Sequence, residues 1–195
     1  KDNEKAFAYE VLKHIVAYVD DKKAHYGKDI PYIAAIYGTP AESLCGTQVE
    51  QFKRKYGIIP KVSDRAYFTN SFHMHVSEEI TPFQKQDAEF RYFHLASGGH
   101  IQYCRFTTGM NENYISQCVD RAMKLGYYFG VNIEKSYCND CGAKIDDGID
   151  VCPVCHSHNI TEINRVCGYL GYSKVSGDTK MNDAKMAEVH DRKSM

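Results

Sequence analysis

The chain of 195 residues carries 24 basic and 25 acidic side chains, a formal net charge of −1, and so offers no electrostatic footprint for nucleic acid or an anionic membrane surface. Its length holds one ordinary domain plus an appendage, enough to bury roughly 70% of the unfolded surface. No run of about 18 apolar residues is present and Lys1-Asp2-Asn3-Glu4-Lys5 has no apolar signal core, so a membrane helix or a secretory leader is not expected.

Half of the eight cysteines stand in metal spacing and the rest, Cys45, Cys104, Cys118 and Cys167, are scattered. That distribution fits a reducing, cytoplasmic compartment better than a disulfide framework. A chain that starts on Lys1 and runs straight into a helical pattern is expected to be a fragment, or one piece of a split protein.

Residues 2–26 place Phe7, Val11, Leu12, Ile15, Val16 and Val19 at spacings of three and four, which predicts an amphipathic helix ending near Gly27. The apolar run at 30–37 has strand length and reads as a strand buried on both faces. Gly38-Thr39-Pro40 turns from it into a helix over about 41–56. A second strand is predicted over 67–74 and a helix over 82–95, begun by Thr81-Pro82. After Gly98-Gly99 come a strand at 100–106, a helix over 112–125 with Asn111 as its cap and Gly126 as its stop, and a strand at 127–133. This β-α-β-α-β-α-β rhythm over 1–134 implies an α/β fold with parallel strands, either an open sheet or part of a barrel. No G-x-G-x-x-G or P-loop opens any of the helices. Residues 135–162 form a small module rich in Cys, Asp and Gly, and 163–195 read as a loop and a polar tail.

In that module Cys138, Cys141, Cys152 and Cys155 form two C-x2-C pairs separated by ten residues. Each pair puts two thiolates on one tight turn, and two turns supply the soft ligands of a tetrahedral structural zinc site. Gly142 and Pro153 shape the turns, and His156 and His158 read as bystanders. A disulfide oxidoreductase would use a single C-x2-C at a helix start.

The stretch Arg165-Val166-Cys167-Gly168-Tyr169 follows. Glycine is the residue whose α-carbon can become a planar radical without a side chain clashing with the flattened backbone. Gly168 and Gly171 can also simply supply turn dihedrals. Together, the double knuckle, R-V-C-G-Y and the polar tail resemble the C-terminal part of the anaerobic (class III) ribonucleotide reductases, which are glycyl radical enzymes. Thr39-Pro40-Ala41-Glu42-Ser43, Asn70-Ser71-Phe72-His73 and Gly98-Gly99-His100-Ile101 look like segments of the second half of that family's ten-stranded α/β barrel.

The resemblance implies a half-barrel at 1–134, a four-cysteine zinc module at 135–162, and a glycyl radical loop with tail at 163–195. It further implies that Gly168 is the radical carrier, activated by a separate S-adenosylmethionine and iron–sulfur activase. The radical would pass to a cysteine, whose thiyl removes the 3′ hydrogen of a ribonucleoside triphosphate so that the 2′ hydroxyl leaves as water. Thr39, Pro40, Ala41 and Glu42 are candidate substrate-binding residues, where a helix start can hold phosphate. The plain reading of the same residues is a helix N-terminus with Pro40 at its first position.

The family's regulatory domain, first barrel half and thiyl-bearing finger loop have no counterpart in this sequence. The thiyl cysteine is therefore expected on an N-terminal barrel half, in the same or a separate chain, with a homodimer of the full enzyme as the assembly. Cys45, Cys104 and Cys118 read as buried structural thiols. Two other functions stay open: a zinc-ribbon adaptor for a protein partner, and a spare-part glycyl radical subunit. A nucleic-acid-binding ribbon is disfavoured, because Lys144 is the one basic residue between 136 and 160.

Overall fold

The computed structural model describes residues 2–29, 31, 33–38, 44–165 and 170–195. Helix α1 (Asp2–Tyr26) has the length that its periodicity predicts. It turns Leu12, Val16 and Val19 toward the protein and leaves Phe7, Val11 and Ile15 outward. The Tyr92 hydroxyl holds it in place by donating to the Lys5 carbonyl at 3.1 Å.

Beyond α1, the expected buried strand at 30–37 is not found among the described residues. Ile33 is 91% exposed, and 33–38 form no ladder. Two backbone bonds, from Gly98 to the Ile36 carbonyl and from Gly38 to the Gly99 carbonyl, pin it as an extended segment. Gly98 has a steric role here, since a Cβ would sit 2.9 Å from the Ile36 oxygen.

Helix α2 (Leu44–Tyr56) buries Cys45 and Val49. The strand predicted over 67–74 is also absent among the described residues. His73 instead closes a turn on the Asn70 carbonyl, Ser71 has φ 50°, and the Cys45 thiol donates to Asn70 Oδ1 at 2.8 Å. A backbone turn and the left-handed Ser71, with the Asn70 side chain held from α2, take the place of a ladder here.

Helix α3 (Pro82–Phe93) starts with a capping box between Thr81 and Gln84. Strands β1 (Ile101–Arg105) and β2 (Tyr128–Asn132) pair in parallel, joined through α4 (Glu112–Leu125). Asn111 caps α4, and Gly126 ends it in the left-handed conformation. Among the described residues the expected long alternation thus reduces to one β-α-β unit. Its core holds two clusters, Phe93, Ala122 and Tyr127, and Cys104, Phe106 and Cys118, with Phe129 packed against both. Burial pushes the Cys104 thiol up to about 12, which suits a structural thiol.

Among the described residues, 163–165 and 170–195 are not the loop and polar tail expected there. Strands β3 (Lys135–Cys138), β4 (Lys144–Ile145), β5 (Ile160–Arg165), β6 (Leu170–Val175) and β7 (Asp178–Thr179) form an antiparallel sheet in the order β4-β3-β5-β6-β7. Helix α5 (Asp183–Asp191), capped by Asn182, packs back on α2, where Gly46 lets Ala184 approach. The molecule is a mixed α/β fold carrying a four-cysteine cluster.

Candidate functional site: a four-cysteine centre and the stem of a loop

The two knuckles are built alike. The Gly142 amide donates to the Cys138 carbonyl at 3.0 Å, and the His156 amide donates to the Cys152 carbonyl at 2.9 Å. Gly142 has φ 77° and His156 has φ 59°, so the fifth residue of each turn is left-handed. His156 therefore does the conformational work of a glycine.

The four Sγ atoms lie within 4.8 Å of one another, with Cys138 to Cys155 and Cys141 to Cys152 each 3.6 Å apart. A tetrahedral zinc with Zn–S bonds of about 2.3 Å has sulfur–sulfur edges of about 3.8 Å, so the four thiols fit that ion. Among the described residues the cluster contains no histidine. Backbone amides of Cys155 and Val154 point at the Cys152 sulfur and lower its pKa, favouring the thiolate that a metal needs, while hydrogen bonds among the thiols raise those of Cys155 and Cys141. Outside the sulfurs, Asp140 accepts from Ser157 and, at 2.7 Å, from Asn159, which locks one knuckle to the other. Ile160 packs fully buried against Cys138 and Cys152, so the cluster is continuous with β5.

Strands β5 and β6 flank the four residues at 166–169, with Arg165 paired to Leu170 and Asn164 to Gly171. The expected radical residue Gly168 lies outside the described residues, as do Thr39, Pro40, Ala41 and Glu42. What is described is the stem. Asn164 is fully buried, its Nδ2 donating to Glu134 at 2.7 Å and its Oδ1 accepting from Asn132 at 3.3 Å. The Arg165 amide donates to Asn132 Oδ1 at 3.3 Å, and the Arg165 guanidinium lies 4.8 Å from the centre of the Tyr103 ring.

Beside the stem is a cavity of about 100 Å³ whose lining includes Asn70, His73, Lys85, Arg105, Arg165 and Arg192. Under it lies Glu89, fully buried and accepting from the Met74 amide, Gln102 and Lys85, with His73 3.4 Å away. Burial alone would raise the pKa of Glu89, but the Lys85 ammonium and the His73 hydrogen bond hold it at about 2. His73, part of the family-like stretch at 70–73, thus has a carboxylate partner.

The ring of His100 stacks on Phe93 at 3.8 Å, and neither ring nitrogen has a hydrogen-bond partner among the described residues. Burial, aided by His73, lowers its pKa to about 4. Glu89, Lys85, Asn164 and Arg192 were not singled out by sequence. The Lys85 to Glu89 spacing of four on α3 was the available signal, but such pairs are common on solvated faces.

The whole chain, residues 1–195, matches the family described as anaerobic ribonucleoside-triphosphate reductase. The protein of that name from Haemophilus influenzae (strain ATCC 51907 / DSM 11121 / KW20 / Rd) is 33% identical over 188 residues, which are 91% of this chain and 26% of that protein. Its namesake from Enterobacteria phage T4 is 38% identical over 146 residues, 70% of this chain and 24% of that one. The one from Escherichia coli (strain K12) is 32% identical over 203 residues, 98% and 27%. This chain thus spans about a quarter of the length of these relatives.

Among solved structures, an anaerobic ribonucleotide reductase superposes with a TM-score of 0.77 at 19% identity, over 100% of this chain and 29% of that one. The Thermotoga maritima anaerobic ribonucleotide reductase in complex with dATP and CTP gives 0.69 at 20% identity, over 88% and 27%. At these identities the likeness is one of fold. With a family match over its whole length, this chain belongs to the anaerobic ribonucleoside-triphosphate reductases.

Proposed function

We propose that this chain is the glycyl-radical-bearing portion of an anaerobic ribonucleotide reductase. It converts ribonucleoside triphosphates to 2′-deoxyribonucleoside triphosphates together with an N-terminal half that carries the thiyl cysteine. The observation that carries this reading is the ordered stem. Strands β5 and β6, mounted on the four-cysteine cluster and bonded to the β-α-β unit, flank residues 166–169, and Arg165 at the end of β5 lines a cavity with Lys85, Arg105 and Arg192.

In this reading residues 1–134 are the second half of a ten-stranded barrel, 135–162 its zinc module, and 163–195 the radical segment. Cys138, Cys141, Cys152 and Cys155 hold a structural zinc, whose chemistry is to cross-link the knuckles. Gly168 stores the unpaired electron, which an S-adenosylmethionine and iron–sulfur activase installs by removing an α-hydrogen. Thr39, Pro40, Ala41 and Glu42 line the substrate site next to Gly38, itself bonded to Gly99. The work of this chain is to orient the loop and to keep water and oxygen from it.

The test is an electron spin resonance spectrum of the full-length enzyme after anaerobic incubation with activase and S-adenosylmethionine. A glycine-centred doublet that disappears in Gly168→Ala is the expected result. A doublet that survives the substitution, or none in the parent enzyme, overturns the proposal.

A further inference from the structure

Helix α5 ends at Arg192, whose backbone turns extended, and the residues after it lie across the β-α-β unit. The Lys193 amide donates to the Val76 carbonyl at 2.9 Å and the Met195 amide to the Arg105 carbonyl at 2.8 Å, while Met195 packs on the core of Cys104, Phe106 and Cys118. The Arg192 side chain, only 10% exposed, reaches in two directions. One terminal nitrogen pairs with Glu188 at 2.9 Å and the other donates to the Arg165 carbonyl at 3.4 Å.

Arg105 carries the connection onward. It donates to the Arg192 carbonyl at 3.2 Å and pairs with Glu134 at 2.6 Å. Glu134 accepts from Asn164, the residue before Arg165, at 2.7 Å. The bonds close a circuit through Arg165, Arg192, Arg105, Glu134 and Asn164, and the Arg165 amide is held separately by Asn132.

We infer that Arg192 is a positioning residue for the radical loop, a clamp that fixes the direction in which the chain leaves β5. This rests on the reading of Gly168 as radical carrier. Both peptide groups of Arg165, the last described residue before 166–169, are tied, the amide to Asn132 of β2 and the carbonyl to Arg192. A planar guanidinium holds Glu188 and the Arg165 carbonyl at a set angle, whereas a lysine ammonium, a point charge on a flexible stem, cannot. Glu188, which orients the Arg192 guanidinium, is itself bonded by Lys185.

The experiment compares full-length parent enzyme with Arg192→Lys and Arg192→Gln by amide hydrogen exchange and, after anaerobic activation, by electron spin resonance. Arg192→Lys keeps a cation beside the buried Glu188 but loses the fork. In it, exchange at 163–165 and 171–172 rises by about tenfold, the factor expected for losing one charge-assisted hydrogen bond, and the Gly168 doublet loses intensity or changes its splitting. Parent-like exchange at the stem in both variants overturns the clamp. So does an unaltered doublet beside raised exchange, since positioning would then be absent. If the parent enzyme gives no doublet, the glycyl reading fails alone, and exchange at the stem still decides whether Arg192 holds it.

Discussion

The side-chain amide of Asn164 donates to the Glu134 carboxylate at 2.7 Å, and both residues are buried. One bond therefore couples the ribbon strand that leads into R-V-C-G-Y to the turn leaving the parallel pair. Asn164→Leu keeps the branching, though not the volume, and leaves Asn132 and one lone pair of Glu134 without their partner, at about 1–3 kcal/mol for each unsatisfied group. Urea denaturation should show a loss of about 2–5 kcal/mol. A loss under about 1 kcal/mol would mean that water replaces the amide.

With zinc in the four-cysteine cluster as proposed, its removal should act through β5. Zinc binding to four-thiolate modules is worth about 10 kcal/mol or more, beyond what a ribbon of this size could otherwise supply. Cys152→Ser, or chelation of the parent protein, is expected to lower bound zinc. Amide protection in 135–138 and 160–165 should be lost while that in 101–105 and 128–132 persists. Unchanged protection at 160–165 would show that the stem does not depend on the cluster.

Acid should destabilise the protein in two steps, each with a defined sign. His100 has a folded pKa of about 4, below the ordinary 6.5 of an unfolded histidine. The unfolded state therefore takes up the proton first, and stability falls as the pH drops from about 6.5 to 4, by about 1–3 kcal/mol. His100→Phe, which keeps the stack on Phe93, should remove this phase.

Glu89 has a folded pKa of about 2 against 4.5, so its contribution is complete above about 4.5 and is lost as the pH falls toward 2. Glu89→Gln abolishes that second phase and leaves the Lys85 ammonium buried without its carboxylate, costing about 3–5 kcal/mol at neutral pH. Melting temperatures measured from pH 7 to pH 2 separate the two.

Gly46 lies where α2 meets α5, and a Cβ there would come within 2.5 Å of the Ala184 Cβ. Gly46→Ala should gain about 1 kcal/mol of helix propensity and lose about 1–3 kcal/mol to overpacking, with a net destabilisation. Because α5 carries Glu188 and leads into Arg192, hydrogen exchange at the stem should rise with it. Ala184→Gly in the same chain should restore both.

The cysteine spacing and the R-V-C-G-Y stretch carried the family and the four-thiol cluster, because both depend on residues close together in sequence. Helix α4 was equally legible, since Asn111 and Gly126 act on the backbone within a turn of themselves. The strands expected at 30–37 and 67–74 misled because an apolar run is shaped by what buries it. Tyr67 is buried by packing far along the chain, where its hydroxyl donates to Asp191.

Strand β5 was hidden for the opposite reason. Its inward face carries Glu162 and Asn164 beside Ile160, a pattern that reads as polar until Ser173, Glu134 and Asn132 are there to satisfy it. Helix α5 likewise buries Lys185 and Glu188 as a pair and so resembles a solvated tail. Chemistry held within a few residues was determined by the sequence itself. The polar circuit that holds the stem was decided only by the tertiary structure, because burying a charge or an amide is tolerable only where a partner from elsewhere in the chain arrives to meet it.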